Sequence, residues 1–444
     1  MMFDKNKLIL LIIITILIIS NKFIEAKTKK TIISTIVKEN ILAPGVIYRN
    51  YIIKNKKYNH SVHVIEADLI NPFLGVAVLK AKNQVNELEK LHDIIHSWDS
   101  LHPHLSIVSA INANFWRAYS NRPIGPTIID GEVLELKTHK RWSSAFFDKI
   151  SFMYIDTFFL EGKLIYSHKI YYIKNVNHRY DSSGIVLYNQ YGGETIPYVS
   201  DQTLQNVIAG AKEDLDFDDS TEVDYDFQEY IITRFKEEER NKSVENRMIK
   251  VVIKYIDKPT INEDYRCVIT DIIQNGSVKM PFNGAIISLG DDEKINFKVN
   301  DTIKLRFSTN VYDTIKFYNA IAGTPRLIRN GKITNEAQLE GSKGRRFIYR
   351  KLSRTAIGCN KMKNKIYFIS VEKTNVNNGI SGANLDDLSI IAQQLGCYEA
   401  INLDGGGSST LIIDGNNLMR DNPKSSRKIS VGLGVYIRKF GNMK

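Results

Sequence analysis

Five short segments share one pattern: an apolar, β-rich run, a two-residue turn ending in glycine, and a second run. They read "TIIDGEVLEL", "FFLEGKLIY", "IIQNGSVKM", "RLIRNGKIT" and "TLIIDGNNLM". Asp-Gly and Asn-Gly accept positive φ at both central residues, as a type I′ hairpin turn requires. Hairpins pair neighbouring strands antiparallel. A chain punctuated this way folds around antiparallel sheet, not around a doubly wound parallel one. "SVHVIEADL" and "FLGVAVLKA" add further strands. Helical periodicity is confined to few places, "NELEKLHDIIHSW" and "NLDDLSIIAQQLG". In the second, Leu388, Ile391, Ala392 and Leu395 share one face, Asn384 caps the start and Gly396 ends it. The expected class is α+β, a strand-rich mixed or antiparallel core with a few packed helices. The chain has 444 residues, 43% of them hydrophobic, enough for a real core.

The first residues, "MMFDKNKLILLIIITILIISNKFIEA", place Lys5 and Lys7 before an apolar run from Leu8 to Ile19. Ala26 closes a cleavage-like site. This predicts a secretory signal peptide over 1–26, with an uncleaved anchor as the alternative. The run is short for a span, which needs about 20 residues. The domain plan is then a leader at 1–26, a lead-in strand region at 27–60 and one domain at 61–439. A charge-dense stretch at about 212–250 reads as a solvated insertion on that domain. The expected location is secreted, periplasmic or at the cell surface, with envelope association open.

Lysine and arginine number 60 against 49 aspartate and glutamate, a net charge of +11. No nucleic-acid motif accompanies that charge, so no nucleic-acid partner is expected. Cys267, Cys359 and Cys397 fit no zinc spacing. One Cys359–Cys397 disulfide or three buried thiols would both fit. His92 and His96 stand four apart on a helical stretch, a metal-capable spacing that surface histidines also show. No cofactor or metal is expected.

Four segments could carry chemistry. In "INLDGGGSST", Asp404 ends an apolar strand. Gly405, Gly406 and Gly407 follow, and Ser408 and Ser409 add hydroxyls. Consecutive glycines let backbone N–H groups approach an oxygen-rich ligand. A tight structural turn would use the same residues. No lysine follows the glycines, as a Walker loop needs, and G-x-S-x-G is absent. In "INANFWRAYSNRPIG", Asn112 and Asn114 alternate on an extended run, with Phe115 and Trp116 able to face a sugar ring. "GTPRLIRNGKIT" offers Arg326. "GRRFIYRKLSRTAIG" offers Arg354, the one arginine of its cluster that runs straight into buried-looking sequence. Such an arginine needs a carboxylate or an anionic ligand.

Taken in order, "NANFW…IGPTIIDGEVL", "GTPRLIRNGKIT", "SRTAIG" and "GCYEAINLDGGGSST" resemble the phosphodiester glycosidase domain family. Its members include the uncovering enzyme, and many secreted bacterial proteins share the domain. The resemblance runs from about Ser61 to Lys439. It implies hydrolysis of a sugar-1-phosphodiester at the sugar C1–O bond, releasing free sugar and a phosphomonoester. By motif matching it implies that Asn112, Arg354 and Asp404 are catalytic. Asn114, Arg326, Gly405, Gly406, Gly407, Ser408, Ser409 and Arg427 (in "SSRKISVGL") would bind a glycan phosphodiester. Ala113 and Asn114 stand where the family often has Gly-Gly, and Trp116 where it has Phe. In this reading Arg354 and the glycine-loop amides hold the phosphate, and the nearby arginine keeps Asp404 ionised. Two alternatives use other chemistry. One is a non-catalytic glycan-binding or envelope-assembly protein on the same scaffold. The other is a P–O-cleaving hydrolase with a metal.

Overall fold

The computed structural model describes residues 33–54, 59–199, 202–209, 225–342, 344–373, 380–419 and 427–439. The expected leader at 1–26 and part of the charge-dense stretch, 210–224, lie outside the described residues.

The described chain is α+β. An eight-stranded sheet contains, in spatial order, Ile33–Ala43, Val46–Lys54, Asn59–Asp68, Lys365–Glu372, Arg354–Cys359, Glu399–Asn402, Arg326–Arg329 and Lys332–Ile333. The lead-in region thus supplies its first two strands, paired antiparallel through Ala43 and Val46. Side chains alternate across this sheet, as extended backbone demands. Ile357, Cys359, Ile366 and Phe368 join one core cluster. Ala356, Tyr367, Ile369 and Val371 join another, against the helix Leu385–Gln394. That helix begins at Asn384, whose side chain accepts from the Asp387 N–H in a capping box.

Two five-stranded sheets cover the first face. One is centred on Leu105–Asn112 and Val431–Arg438, the other on Phe317–Gly323 and Ser143–Asp148. Between Met153–Asp156 and Phe317–Gly323, seven strands from Leu160 to Thr309 close into a barrel with its own apolar interior. The barrel is an excursion from one of these sheets, and no proline-rich linker marks it.

Three of the five expected hairpins form. Asp130-Gly131, Asn330-Gly331 and Asp414-Gly415 all carry positive φ and join paired strands. Two do not. Glu161-Gly162 lies inside the single barrel strand Leu160–Tyr166. There the glycine answers crowding: a Cβ at 162 would sit 2.7 Å from Phe307 Cε1 and 3.0 Å from Ile173 Cβ. After Gly276 the chain leaves the barrel, and Val278–Lys279 pairs with Thr195–Ile196 instead of folding back.

The charge-dense stretch is more than a solvated insertion. Its described part is the helix Tyr225–Asn246. Glu245 on this helix is 2% exposed. It accepts from Arg179 Nε at 2.6 Å and from the Tyr188 hydroxyl at 2.9 Å. Glu238 accepts from the buried Arg122 at 2.7 Å. Buried carboxylates need such partners, and here they fasten the helix to the body.

All three cysteines are buried free thiols. Cys359 and Cys397 belong to core clusters on opposite faces of the long sheet, so of the two arrangements the sequence left open it is the three buried thiols that the fold holds. Among the described residues no three His, Cys, Asp or Glu side chains are grouped to hold a metal. No helix among them is long and apolar enough to cross a membrane.

Candidate active site

The ends of four strands meet at one corner of the fold. Leu105–Asn112 and Glu399–Asn402 arrive there, while Arg354–Cys359 and Leu411–Ile413 depart. Between them lies a cavity of about 250 Å³. Asp404, the three glycines after it, Arg354, Arg427 and an apolar wall of Phe115, Trp116, Phe347 and Leu352 line it.

Asp404 reaches this cavity with a partly exposed residue surface, while its carboxyl group is largely withdrawn from water. Burial pushes its pKa up to about 7, and hydrogen bonds from the Ser408 hydroxyl and the Gly405 amide pull weakly the other way. The Gly405 N–H donates to Asp404 Oδ1 at 2.9 Å. Asp404, expected to be fully ionised, is instead balanced between its two protonation states near neutrality. Arg354 stands close by: a Cβ added at Gly405 would lie 3.9 Å from its Nη1. Yet its Nε donates to the Ala383 carbonyl at 3.1 Å, and its Nη2 to the Phe347 and Arg350 carbonyls at 2.7 and 3.1 Å. A guanidinium held by carbonyls offsets the desolvation of its neighbour only partly. Arg354 is 1% exposed, and Phe347 lies 5.5 Å beneath its guanidinium.

Most amides of the glycine loop are turned to acceptors within the protein. The Gly406 N–H donates to the Ser353 carbonyl, the Ser408 N–H to Gly405 and the Ser409 N–H to Gly406. With the Gly405 amide on Asp404, four amides of the loop are committed within the protein, which corrects the picture of a phosphate cradle. Gly406 has φ +60° with no atom within 4 Å of its would-be Cβ. A side chain there would be strained and would protrude into open space. Ser408 and Ser409 are buried; Ser408 bonds Asp404, and neither lines the cavity.

Asn112 is buried behind the Asp404 turn. Its Nδ2 donates to the Asp404 carbonyl at 2.7 Å, and its Oδ1 accepts from Thr355 Oγ1 at 2.8 Å and the Thr410 N–H at 3.0 Å. One amide thus ties three strand ends and the Asp404 turn together. Asn114 turns inward, to the Ile124 carbonyl and the Thr127 hydroxyl. It does not line the cavity, because the chain leaves the strand at Asn112 and the alternation that would align the two amides ends there. Arg326 is also elsewhere. Its guanidinium is buried against Glu399 at 2.5 Å, with Asp156 3.6 Å away. Arg427 does reach the site, with its guanidinium 5.4 Å from the Trp116 ring centre.

Phe347 and Leu352 escaped the sequence reading, because the arginines around them read as surface charge. The five-residue helix Arg345–Tyr349 turns Phe347 inward, edge-on to Phe115. An aromatic between basic residues, just before Arg354, was the available signal. The loop that carries Phe115 and Trp116 is fixed from behind by Arg122 and, through it, by Glu238 of the long helix.

Comparison places this arrangement among known folds. The chain superposes on the crystal structure of a hypothetical protein from Synechocystis with a TM-score of 0.62 and 17% identity, over 91% of this chain and 64% of that one. It therefore spans less than two thirds of that protein's length. A protein from Burkholderia pseudomallei K96243 matches with a TM-score of 0.56 and 11% identity, over 91% of this chain and 97% of that one. Both likenesses show the fold. The zebrafish N-acetylglucosamine-1-phosphodiester alpha-N-acetylglucosaminidase catalytic domain aligns over 94% of this chain and 90% of that one, with 14% identity and a TM-score of 0.43. None of the curated proteins matches the sequence. Residues 252–436 match the phosphodiester glycosidase family. That stretch is less than half of the chain, and the likeness to the family is over those residues. The match holds Arg326, Arg354, Asp404 and Arg427, while the sheet brings Asn112, Phe115 and Trp116 to the site from outside it.

Proposed function

We propose that this chain hydrolyses glycan sugar-1-phosphodiesters at the sugar C1–O bond, releasing free sugar and a phosphomonoester, and that it works outside the cytoplasm. The observation that carries the reading is a carboxyl group held near pKa 7, set beside a buried arginine in a small cavity with an aromatic wall. A carboxyl tuned to neutrality exchanges a proton with water or with a departing oxygen, and rate is best served when its pKa lies near the working pH. A phosphate-linked leaving group departs readily, so charge recognition matters more than in ordinary glycosides. Arg354 and Arg427 supply that recognition, a role for which planar guanidinium donors are suited. Phe115, Trp116 and Phe347 offer apolar faces to a sugar ring. Asn112 sets the Asp404 turn and does not touch substrate. The N-terminal apolar run supports export.

The test is turnover of UDP-N-acetylglucosamine and synthetic sugar-1-phosphodiesters in oxygen-18 water, with and without chelator. Heavy oxygen in the free sugar supports the reading. Heavy oxygen in the phosphate means P–O cleavage and overturns it. Binding without turnover on every substrate points to a glycan-binding protein instead.

A further inference from the structure

A different cavity, of about 820 Å³, lies where one mouth of the barrel meets the Asp130-Gly131 turn and the short helix Ala81–Asn83. None of its lining residues belongs to the Asp404 cavity. We propose that it is a second, non-catalytic saccharide site, which holds a neutral oligosaccharide away from the cleaved bond. This goes beyond the proposed reaction and rests on that reading for the expectation that the chain handles saccharides.

Three observations point to that ligand. First, the lining balances three lysines against three carboxyl groups. A wall without net sign has no preference for a polyanion or a polycation, whereas a hydroxyl-rich neutral molecule needs donors and acceptors together. Second, four amide side chains line it. Among them Gln84 keeps its Oε1 buried with no hydrogen-bond partner among the described residues. A buried acceptor left unmatched is costly unless a ligand donor meets it. Deeper in, Glu132 is 7% exposed and is held in place by the Tyr255 hydroxyl at 2.7 Å and by Gln190. Its carboxyl pKa is raised, chiefly by burial. Third, Phe282 lies on the rim and is 96% exposed. A fully solvated phenyl ring beside polar groups is the ordinary platform for the C–H face of a pyranose ring.

Two close backbone contacts fix segments beside the cavity. A Cβ at Gly131 would lie 2.0 Å from the carbonyl oxygen of Pro259, a lining residue, and one at Gly284, another lining residue, would lie 2.1 Å from that of Ile253. Only glycine fits at either position.

The experiment uses the full chain carrying Asp404→Asn, so that turnover cannot consume the probe. Tetra-N-acetylchitotetraose, cellotetraose and maltotetraose are titrated by calorimetry and by saturation-transfer NMR. At least one is expected to bind saturably at millimolar concentration or tighter. Phe282→Ala, a change at a solvated position, is expected to weaken it about tenfold, while Arg354→Lys leaves it unchanged. No binding of any of the three up to about 10 mM overturns the proposal. So does binding that Arg354→Lys weakens and Phe282→Ala does not, which would place the sugar in the Asp404 cavity alone.

Discussion

At the residue scale, the site turns on one carboxyl group. Because the folded protein holds Asp404 at about 7 instead of 3.8, the folded state binds a proton that the unfolded chain has already lost. Stability contributed at this position is therefore greatest below pH 4 and declines as pH rises toward 7. Each factor of ten in acidity is worth about 1.4 kcal/mol, so the decline amounts to roughly 2–4 kcal/mol once the cavity's water is allowed for. Asp404→Asn removes that dependence. It should match or exceed the wild type in thermal stability at pH 8 while losing turnover by about a thousandfold or more. Retained turnover, or a collapsed fold, would remove Asp404 from the centre of the site. The same carboxyl should bend the pH profile of kcat/KM near 7. A loss on the alkaline side makes it the proton donor and a loss on the acid side the base, whereas a flat profile from pH 5 to 9 counts against both roles. Arg354→Lys keeps the charge but loses the fork. We expect a drop of about ten- to a hundredfold in kcat/KM on phosphodiesters, with little change on neutral aryl glycosides. Equal loss on both would mark Arg354 as purely structural.

At the scale of elements, the helix Tyr225–Asn246 acts as a clasp. Its Glu238 holds Arg122, and Arg122 ends the loop that carries Phe115 and Trp116 to the cavity. Glu238→Gln should raise KM about fivefold and leave kcat within about twofold, because ring placement and not proton transfer is disturbed. A kcat defect with unchanged KM would contradict the clasp. Hairpins show how far local pattern carries. Asp130-Gly131, Asn330-Gly331 and Asp414-Gly415 met their turns because two adjacent left-handed residues leave the chain little else to do. Glu161-Gly162 has the same outline in sequence, but the demand on that glycine is room beside Phe307, and nothing within seven residues announces it.

At the scale of the whole molecule, the long sheet separates what the sequence places together. Cys359 faces the core beneath the short sheets and Cys397 the core beneath the helix. Burial also raises both thiols' pKa, that of Cys359 to about 12. Native protein should react slowly with a thiol reagent, expose three thiols in denaturant, and melt at the same temperature with or without reductant. A melting shift on reduction would mean a bridge exists.

The parts of this protein settled by local chemistry were legible from the start: the strand-rich α+β class, the capped helix after Asn384, three type I′ turns and the Asp-Gly-Gly-Gly-Ser turn. Each depends on residues within a few positions of one another. The tertiary structure alone decided which charged groups are partnered. Arg326 and Arg354 read alike as arginines at the edge of apolar runs. Folding gave one to Glu399 and the other to the cavity, because their strands enter the sheet with different neighbours. The acidity of Asp404 was decided in the same way. It follows from desolvation by Phe115, Phe347 and the sheet corner, groups 57 to 289 positions away in the chain, and no local pattern carries the sum of such distant contacts.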